Sequence, residues 1–99
     1  MVRMRVHLEQ HNSILPIVEF IMELYYNEDT VDKLVVDTTI SRTICTLEKV
    51  VNSCGGKFFS IEPRGKMDKN AKIGVFLTIT FQSLADIKKF EYNLGKMFE

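Results

Sequence analysis

Hydrophobic and polar residues alternate in two segments of the chain, which is the pattern of half-buried β-strands. In the first segment the apolar positions are Val2, Met4, Val6 and Leu8. The polar positions between them are Arg3, Arg5, His7 and Glu9. The second segment runs from Ile73 to Phe81 and has an apolar residue at every odd position. We predict a strand for each segment.

Two apolar stretches in the first half of the chain lack this alternation. Residues 13–26 are apolar nearly all round, and Glu19 and Glu23 lie four positions apart, which is typical of a helix with one polar stripe. Residues 31–38 contain the run Leu34-Val35-Val36, which is typical of a strand covered on both faces. We therefore predict a first helix over 13–26 and a second strand over 31–38.

The remaining elements have clearer boundaries. A second helix begins at Thr38 or Thr39 and ends at Gly55-Gly56, because paired glycines stop helices. A third strand follows at Phe58–Glu62. After the strand that ends at Phe81, the capping-box pattern at the start of Ser83–Phe98 predicts a last helix.

The predicted order of elements is therefore β-α-β-α-β-β-α. The chain is 45% hydrophobic and 26% charged, which is ordinary for a globular protein and excludes disorder. We expect one α/β (α+β) domain over residues 1–99, a two-layer sandwich with a mixed four-stranded sheet. Its helices would lie on one face of the sheet, with an extra C-terminal helix.

Charge and cysteine content restrict the class of protein. Lys plus Arg and Asp plus Glu are 13 each, so only the distribution of charge bears on nucleic-acid binding. The apolar run Ile14–Tyr26 is too short and too charged to span a membrane, and no signal-peptide core follows Arg3 and Arg5. Cys45 and Cys54 would lie about 13.5 Å apart on one helix, too far for a disulfide. We expect reduced thiols and a cytoplasmic protein, or a nuclear one in a eukaryote.

Residues suited to catalysis or metal binding form no recognisable motif. His7, Glu9 and His11 would share one face of an extended strand, and such residues bind metals, but an exposed polar face is the commoner outcome of this pattern. Neither cysteine has an activating base near it in sequence, and both fit small buried positions. We therefore predict a protein without catalytic activity, metal or cofactor.

The most distinctive functional feature is the segment Pro63–Lys72 between the last two strands. It contains four cations and one anion, a local charge of +3 in a neutral chain. We expect a flexible, protruding hairpin arm, which can reach the phosphates or the minor groove of a nucleic acid. The residues predicted to contact nucleic acid, on this arm and the adjoining body, are Arg64, Lys66, Lys69, Lys72, Arg42, His11 and Asn12.

Several segments resemble the Alba family of chromatin and RNA-binding proteins. The run Val31–Val36 after an apolar helix is similar to the first half of that family, and Thr39–Ile44 resembles the segment that starts its second helix. The strand, basic loop and strand over Phe58–Phe81 look like its DNA-contacting arm. The resemblance covers roughly residues 2–81, and the last helix is an addition to the family pattern. It implies a protein that binds DNA or RNA without catalysing a reaction.

The quaternary structure and two other functions are also considered. We expect a homodimer, because the predicted first helix is more apolar than one sheet face can cover and because Phe58 and Phe76 are predicted to point outward. One alternative function is an ACT-like or other ferredoxin-like regulatory domain that binds a small molecule, since Arg5–Val18 resembles the ACT ligand turn. The other is a protein-interaction module that docks its basic hairpin on an acidic partner.

Overall fold

The chain folds into two β-hairpins, each followed by an α-helix. The structure is a computed structural model that describes residues 1–11, 13–63 and 66–97. Its elements in chain order are β1 (Arg3–Glu9), β2 (Ile17–Tyr25), α1 (Lys33–Ser53), β3 (Lys57–Pro63), β4 (Ile73–Thr80) and α2 (Leu84–Met97). Within the described part of the chain, no helix combines the length and the hydrophobicity needed to cross a bilayer.

The four strands form one sheet in the order β1-β2-β4-β3, and every neighbouring pair is antiparallel. Because β4 is antiparallel to both β2 and β3, these two strands run parallel to each other, and α1 connects them across the sheet. The register pairs Arg5 with Glu23 and Glu9 with Glu19. Directly paired residues share a face, so this register decides which charged side chains lie together.

The hydrophobic core lies between one face of the sheet and the two helices. The central strands contribute the buried side chains of Val18, Phe20, Met22, Leu24, Val75, Leu77 and Ile79. The helices contribute Val36, Leu47, Val51, Ile87, Phe90 and Leu94. The apolar side of β1 packs at the margin of this cluster. Both described helices therefore cover the same face, and the charged side of β1 points to the other.

The segment predicted as the first helix, residues 13–26, contains the central strand β2 instead. The strand shows no alternation because it is buried on both sides, with Ile21 on the face opposite the core only 1% exposed. A spacing of four residues suits about one helical turn and also two repeats of a strand. Glu19 and Glu23 therefore share a face in either structure, and their spacing could not separate the two.

The segment predicted as the second strand, residues 31–38, contains the first turns of α1 instead. Asp32 caps this helix, and its side chain accepts a hydrogen bond from the Leu34 amide at 2.9 Å. Val36 is buried, whereas Leu34 and Val35 are 71% and 51% exposed. This one-sided burial is that of a helix, because a strand covered on both faces would bury all three.

These two corrections change the order of elements to β-β-α-β-β-α. The sheet is antiparallel throughout rather than mixed, because the strands are paired by hairpins. Two helices rather than three are present in the described residues, so α2 is one of the pair that covers the sheet and not an extra element. The coarser prediction, a small α+β fold with a four-stranded sheet, is confirmed.

The two cysteines have different surroundings. Both are free thiols, as predicted. Cys54 is 5% exposed at the C-cap of α1, and its Sγ lies 3.4 Å from Nδ2 of Asn93. Cys45 is exposed, so its predicted burial is wrong. Position 45 falls on the outer side of α1, away from the core residues of that helix.

Gly55 and Gly56 end α1 where the sequence predicted, and they do so for different reasons. Gly55 has a φ of +74°, a conformation that other residues adopt at a cost. Gly56 lies against the core, where an added Cβ would be 2.7 Å from a ring carbon of Phe81 and 2.9 Å from a methyl group of Val51. The first glycine turns the chain, and the second allows it to enter β3 close to the sheet.

We expect Gly56→Ala to lower the free energy of unfolding by about 1–3 kcal/mol, because the new methyl group overpacks the core. The matched control is Gly95→Ala in α2, where nothing lies within 4 Å of the added Cβ. This control should raise stability by about 0.5–1 kcal/mol through helix propensity. Urea unfolding of both variants measures the difference, and equal effects at the two positions would contradict the packing at Gly56.

Candidate functional site

The face of the sheet opposite the helices, called here the open face, carries most of the polar chemistry of the strands. Register and alternation place the following residues on it: Arg3, Arg5, His7 and Glu9 from β1, Glu19, Ile21, Glu23 and Tyr25 from β2, and Phe76 and Thr78 from β4. Positive charge lies at the end of β1 that holds Arg3. Carboxylates and a histidine lie at the end that holds Glu9.

Glu23 lies near the end of the open face that holds Arg3, and it is completely buried, with an exposed fraction of 0%. Its Oε1 is hydrogen-bonded to Nε2 of His7 at 3.1 Å. Its Oε2 accepts a hydrogen bond from the backbone amide of Asp68 at 2.9 Å. Both carboxylate oxygens therefore have partners, which a buried charged group requires. One partner comes from β1, and the other comes from the loop between β3 and β4.

Asp68 ties this loop to the end of β2. Its Oδ2 accepts a hydrogen bond from the Tyr25 hydroxyl at 3.0 Å, and its Oδ1 accepts one from the Asn70 amide at 2.9 Å. The Lys72 amide donates to the carbonyl of Leu24 at 2.8 Å. Residues 68–72 are thus held against the sheet, contrary to the prediction of a protruding, flexible arm.

These contacts change the acidity of both partners. The Asn70 amide and the Tyr25 hydroxyl hold the pKa of Asp68 below its ordinary value, and the charge of Arg5 acts in the same direction. Burial raises the pKa of Tyr25, and its hydrogen bond to Asp68 adds to this effect. The same hydrogen bond therefore favours an ionised Asp68 and a neutral Tyr25.

Five cations gather at this end of the sheet, which we call the basic end: Arg3, Arg5, Lys66, Lys69 and Lys72. All five are exposed. The register puts Arg3 opposite Tyr25 and Arg5 opposite Glu23, the two residues to which the loop is tied. The guanidinium of Arg3 lies over the Tyr25 ring, 5.3 Å from its centroid. Lys72 Nζ lies 3.9 Å from Glu28 Oε1, a weak surface pair.

Among the other residues predicted to bind nucleic acid, Arg42 and His11 are not at the basic end. Arg42 is exposed on α1, which packs on the opposite face of the sheet. His11 lies just beyond the far end of β1, beside carboxylates. Arg64 and Asn12 fall outside the described residues. Arg3 and Arg5, to which the sequence assigned no role, come to the lysines only through the pairing of β1 with β2.

The second cluster on the open face consists of Glu9, His11 and Glu19. His11 Nε2 lies 3.2 Å from Glu19 Oε1 and 3.4 Å from Glu9 Oε2. One donor atom from each of the three residues lies within 4.8 Å of the others. Glu19 is 9% exposed, whereas the His11 side chain is 67% exposed. His7, which the sequence analysis considered as a metal ligand with Glu9 and His11, does not belong to this cluster, because its Nε2 is hydrogen-bonded to Glu23.

A cavity of about 170 Å³ adjoins this cluster, and its lining includes His11, Leu15, Glu19 and Thr78. It lies at the turn between β1 and β2, where the sequence placed the ligand of a regulatory domain. Pockets for metabolites are typically larger, roughly 300–1,000 Å³. The lining of this cavity also includes Ile17 and Val18, so the cavity is largely apolar and is small for an amino acid or a nucleotide.

The residues expected to form a dimer interface are used within the single chain. Phe76 is 9% exposed, and Phe58 packs against the core. The predicted first helix, whose apolar surface was expected to contact a second subunit, is the central strand β2. The most exposed apolar pair of the described helices is instead Leu34 and Val35, at the start of α1. A homodimer therefore stays a prediction, and the residues on which it was based no longer support it.

Tyr25→Phe should raise the pKa of Asp68 toward its ordinary value, because the hydroxyl donor is lost while the Asn70 amide remains. With its lowered pKa, Asp68 stabilises the fold at pH values above the ordinary range of aspartate. That contribution disappears as the pH falls through the lowered pKa. NMR titration of the Asp68 carboxyl carbon measures the change. The control is Tyr92→Phe on the exposed side of α2. An equal Asp68 pKa in both variants would contradict the hydrogen bond between Tyr25 and Asp68.

Comparison with known protein families and with curated protein sequences found no match to this chain. Two of the three segments that resemble the Alba family, residues 31–36 and 39–44, lie in α1 or directly before it. Membership of that family stays a prediction.

Proposed function

We propose that this protein binds nucleic acid, without catalysing a reaction, through the basic end of the open face. One observation carries the proposal: the pairing of β1 with β2 sets Arg3 and Arg5 beside the lysine-rich loop. A protein of zero net charge can attract phosphates only where its cations are segregated. The basic end provides that segregation from two distant parts of the sequence.

The local charge balance supports phosphate contacts. The anions in contact with the loop or its cations include Glu23, Asp68 and Glu28. Glu23 is completely buried, and Glu28 forms only a weak pair with Lys72, at 3.9 Å. Phosphate oxygens approaching from solvent would meet the exposed guanidinium and ammonium groups first.

The hydrogen bonds of Asp68 support binding in a second way. Its hydrogen bonds to Tyr25 and Asn70 order the backbone between Lys66 and Lys72 before any ligand arrives. Binding through a loop that is already ordered loses less conformational entropy than binding through a mobile arm. The acidic residue of the loop therefore positions the cations around it.

The side chains favour a single strand over a duplex. The Arg3 guanidinium over the Tyr25 ring offers a planar surface, and single-strand binders combine such surfaces with a basic groove. Within the described residues, both helices lie on the other side of the sheet, so the open face has no helix to insert into a duplex groove. The proposed ligand is single-stranded RNA or DNA, held by phosphate contacts and one stacked base.

The test is fluorescence anisotropy of single-stranded RNA, single-stranded DNA and duplex DNA over a salt series. Five phosphate contacts on a single strand predict that log K falls with log salt at a slope of about −3 to −4. Each double variant, Arg3→Gln/Arg5→Gln and Lys66→Gln/Lys69→Gln, should weaken binding and reduce the slope by about 1.4.

The matched control is Lys88→Gln/Lys89→Gln on the exposed side of α2, which makes the same change in net charge. This control and Arg42→Gln should leave binding at the wild-type value. Equal weakening by the control would show that only total charge matters, and the basic end would then not be the site. Tighter binding of polyglutamate than of RNA would favour an acidic protein partner instead.

A further inference from the structure

We propose that Glu9, His11 and Glu19 form a binding site for one divalent transition-metal ion, with Zn²⁺ the best fit. The site does not rest on nucleic-acid binding. It lies at the opposite end of the β1–β2 hairpin from Arg3, about 20 Å away at the rise of a strand. The sequence predicted no metal, because an exposed polar strand face was the commoner outcome for His7, Glu9 and His11, and Glu19 was not in that candidate group.

Two of the three separations between donor atoms are close to those that a metal ion imposes, and the third, between the Glu9 and Glu19 oxygens, lies within 4.8 Å. Zinc binds nitrogen and oxygen donors at about 2.0–2.2 Å in tetrahedral geometry, which places the donors about 3.3–3.5 Å from one another. The distances from His11 Nε2 to Glu19 Oε1 and Glu9 Oε2 are 3.2 and 3.4 Å. An ion could therefore sit among these three atoms with only small side-chain shifts.

The register of the hairpin brings two of the three donor groups together. Glu9 and Glu19 are directly paired on neighbouring strands, where like charges destabilise the sheet. A cation bound beside both side chains would offset this repulsion.

The donor set indicates the kind of ion. Calcium and magnesium are held mainly by oxygen ligands, so an imidazole nitrogen favours zinc and its neighbours in the transition series. Three protein donors leave at least one coordination position open. The cavity of about 170 Å³ adjoins the proposed ligands, because its lining includes His11 and Glu19 together with Leu15, Ile17, Val18 and Thr78.

The experiment is isothermal titration of the full chain with Zn²⁺, in a Cys45→Ser background so that the exposed thiol cannot bind metal. We expect one Zn²⁺ per chain and no comparable heat with Mg²⁺. His11→Ala and Glu9→Gln should each weaken Zn²⁺ binding by at least about 10–100-fold. That is the usual loss of affinity when a hydrogen-bond partner of a ligand is replaced, and removal of a ligand itself should cost no less. Both residues are partly or largely exposed, so these variants should fold.

The controls separate this site from other metal sites. Glu48→Gln, an exposed acidic residue of α1, should leave the affinity unchanged. The absorption spectrum of the Co²⁺ form should lack the charge-transfer band of a thiolate ligand, which excludes Cys54. No saturable Zn²⁺ binding, unchanged affinity in His11→Ala, or a thiolate band would each overturn the proposal. None of these outcomes affects the RNA-binding test, whose variants lie at the other end of β1.

Discussion

A carboxylate buried in a sheet has to be hydrogen-bonded on both oxygens, and at Glu23 this requirement joins three parts of the chain. His7 reaches it from β1, and the Asp68 amide reaches it from the loop before β4. Asp68 then holds Tyr25 at the end of β2. The hairpin, the central strand and the loop are thus ordered around one acidic side chain. Replacing it without its partners would leave two polar groups unsatisfied.

This arrangement leaves the open face with two chemically different ends. One end presents exposed cations around an ordered loop, and the other presents two carboxylates beside a histidine and a small cavity. Their separation is about twice the Debye length of roughly 8–10 Å in physiological salt. Each end can therefore bind its own ligand without much electrostatic effect on the other. The zero net charge of the chain conceals this division.

Local pattern predicted the elements whose two sides differ in burial. β1, β4 and α2 were found because each has one apolar side, and the end of α1 was found because glycines mark it. β2 was mistaken for a helix because it is covered on both sides, and the start of α1 was mistaken for a strand because Leu34 and Val35 are exposed. Composition cannot separate these cases, since burial there depends on what packs against the segment.

The residues of the candidate sites also differ in whether the local sequence could identify them. The lysines between β3 and β4 were found because Lys66, Lys69 and Lys72 lie close together in the sequence. The contributions of Arg3, Arg5 and Glu19 depend on the register between β1 and β2, which no local pattern specifies. Once the first hairpin was missed, no residue on β2 could be assigned to a site on the open face. One error of secondary structure therefore removed Arg3 and Arg5 from the first cluster and Glu19 from the second.

The position of β1 has a consequence for how the chain could be connected. β1 is an edge strand beside β2 and runs parallel to β4. A strand that followed α2 in the ferredoxin-like β-α-β-β-α-β plait would occupy that same edge in that same direction. The order and directions of the strands are thus those of the plait with its final strand placed first. The connection from Glu9 to Ile17 joins the points where the plait has the end of its last strand and the start of its first.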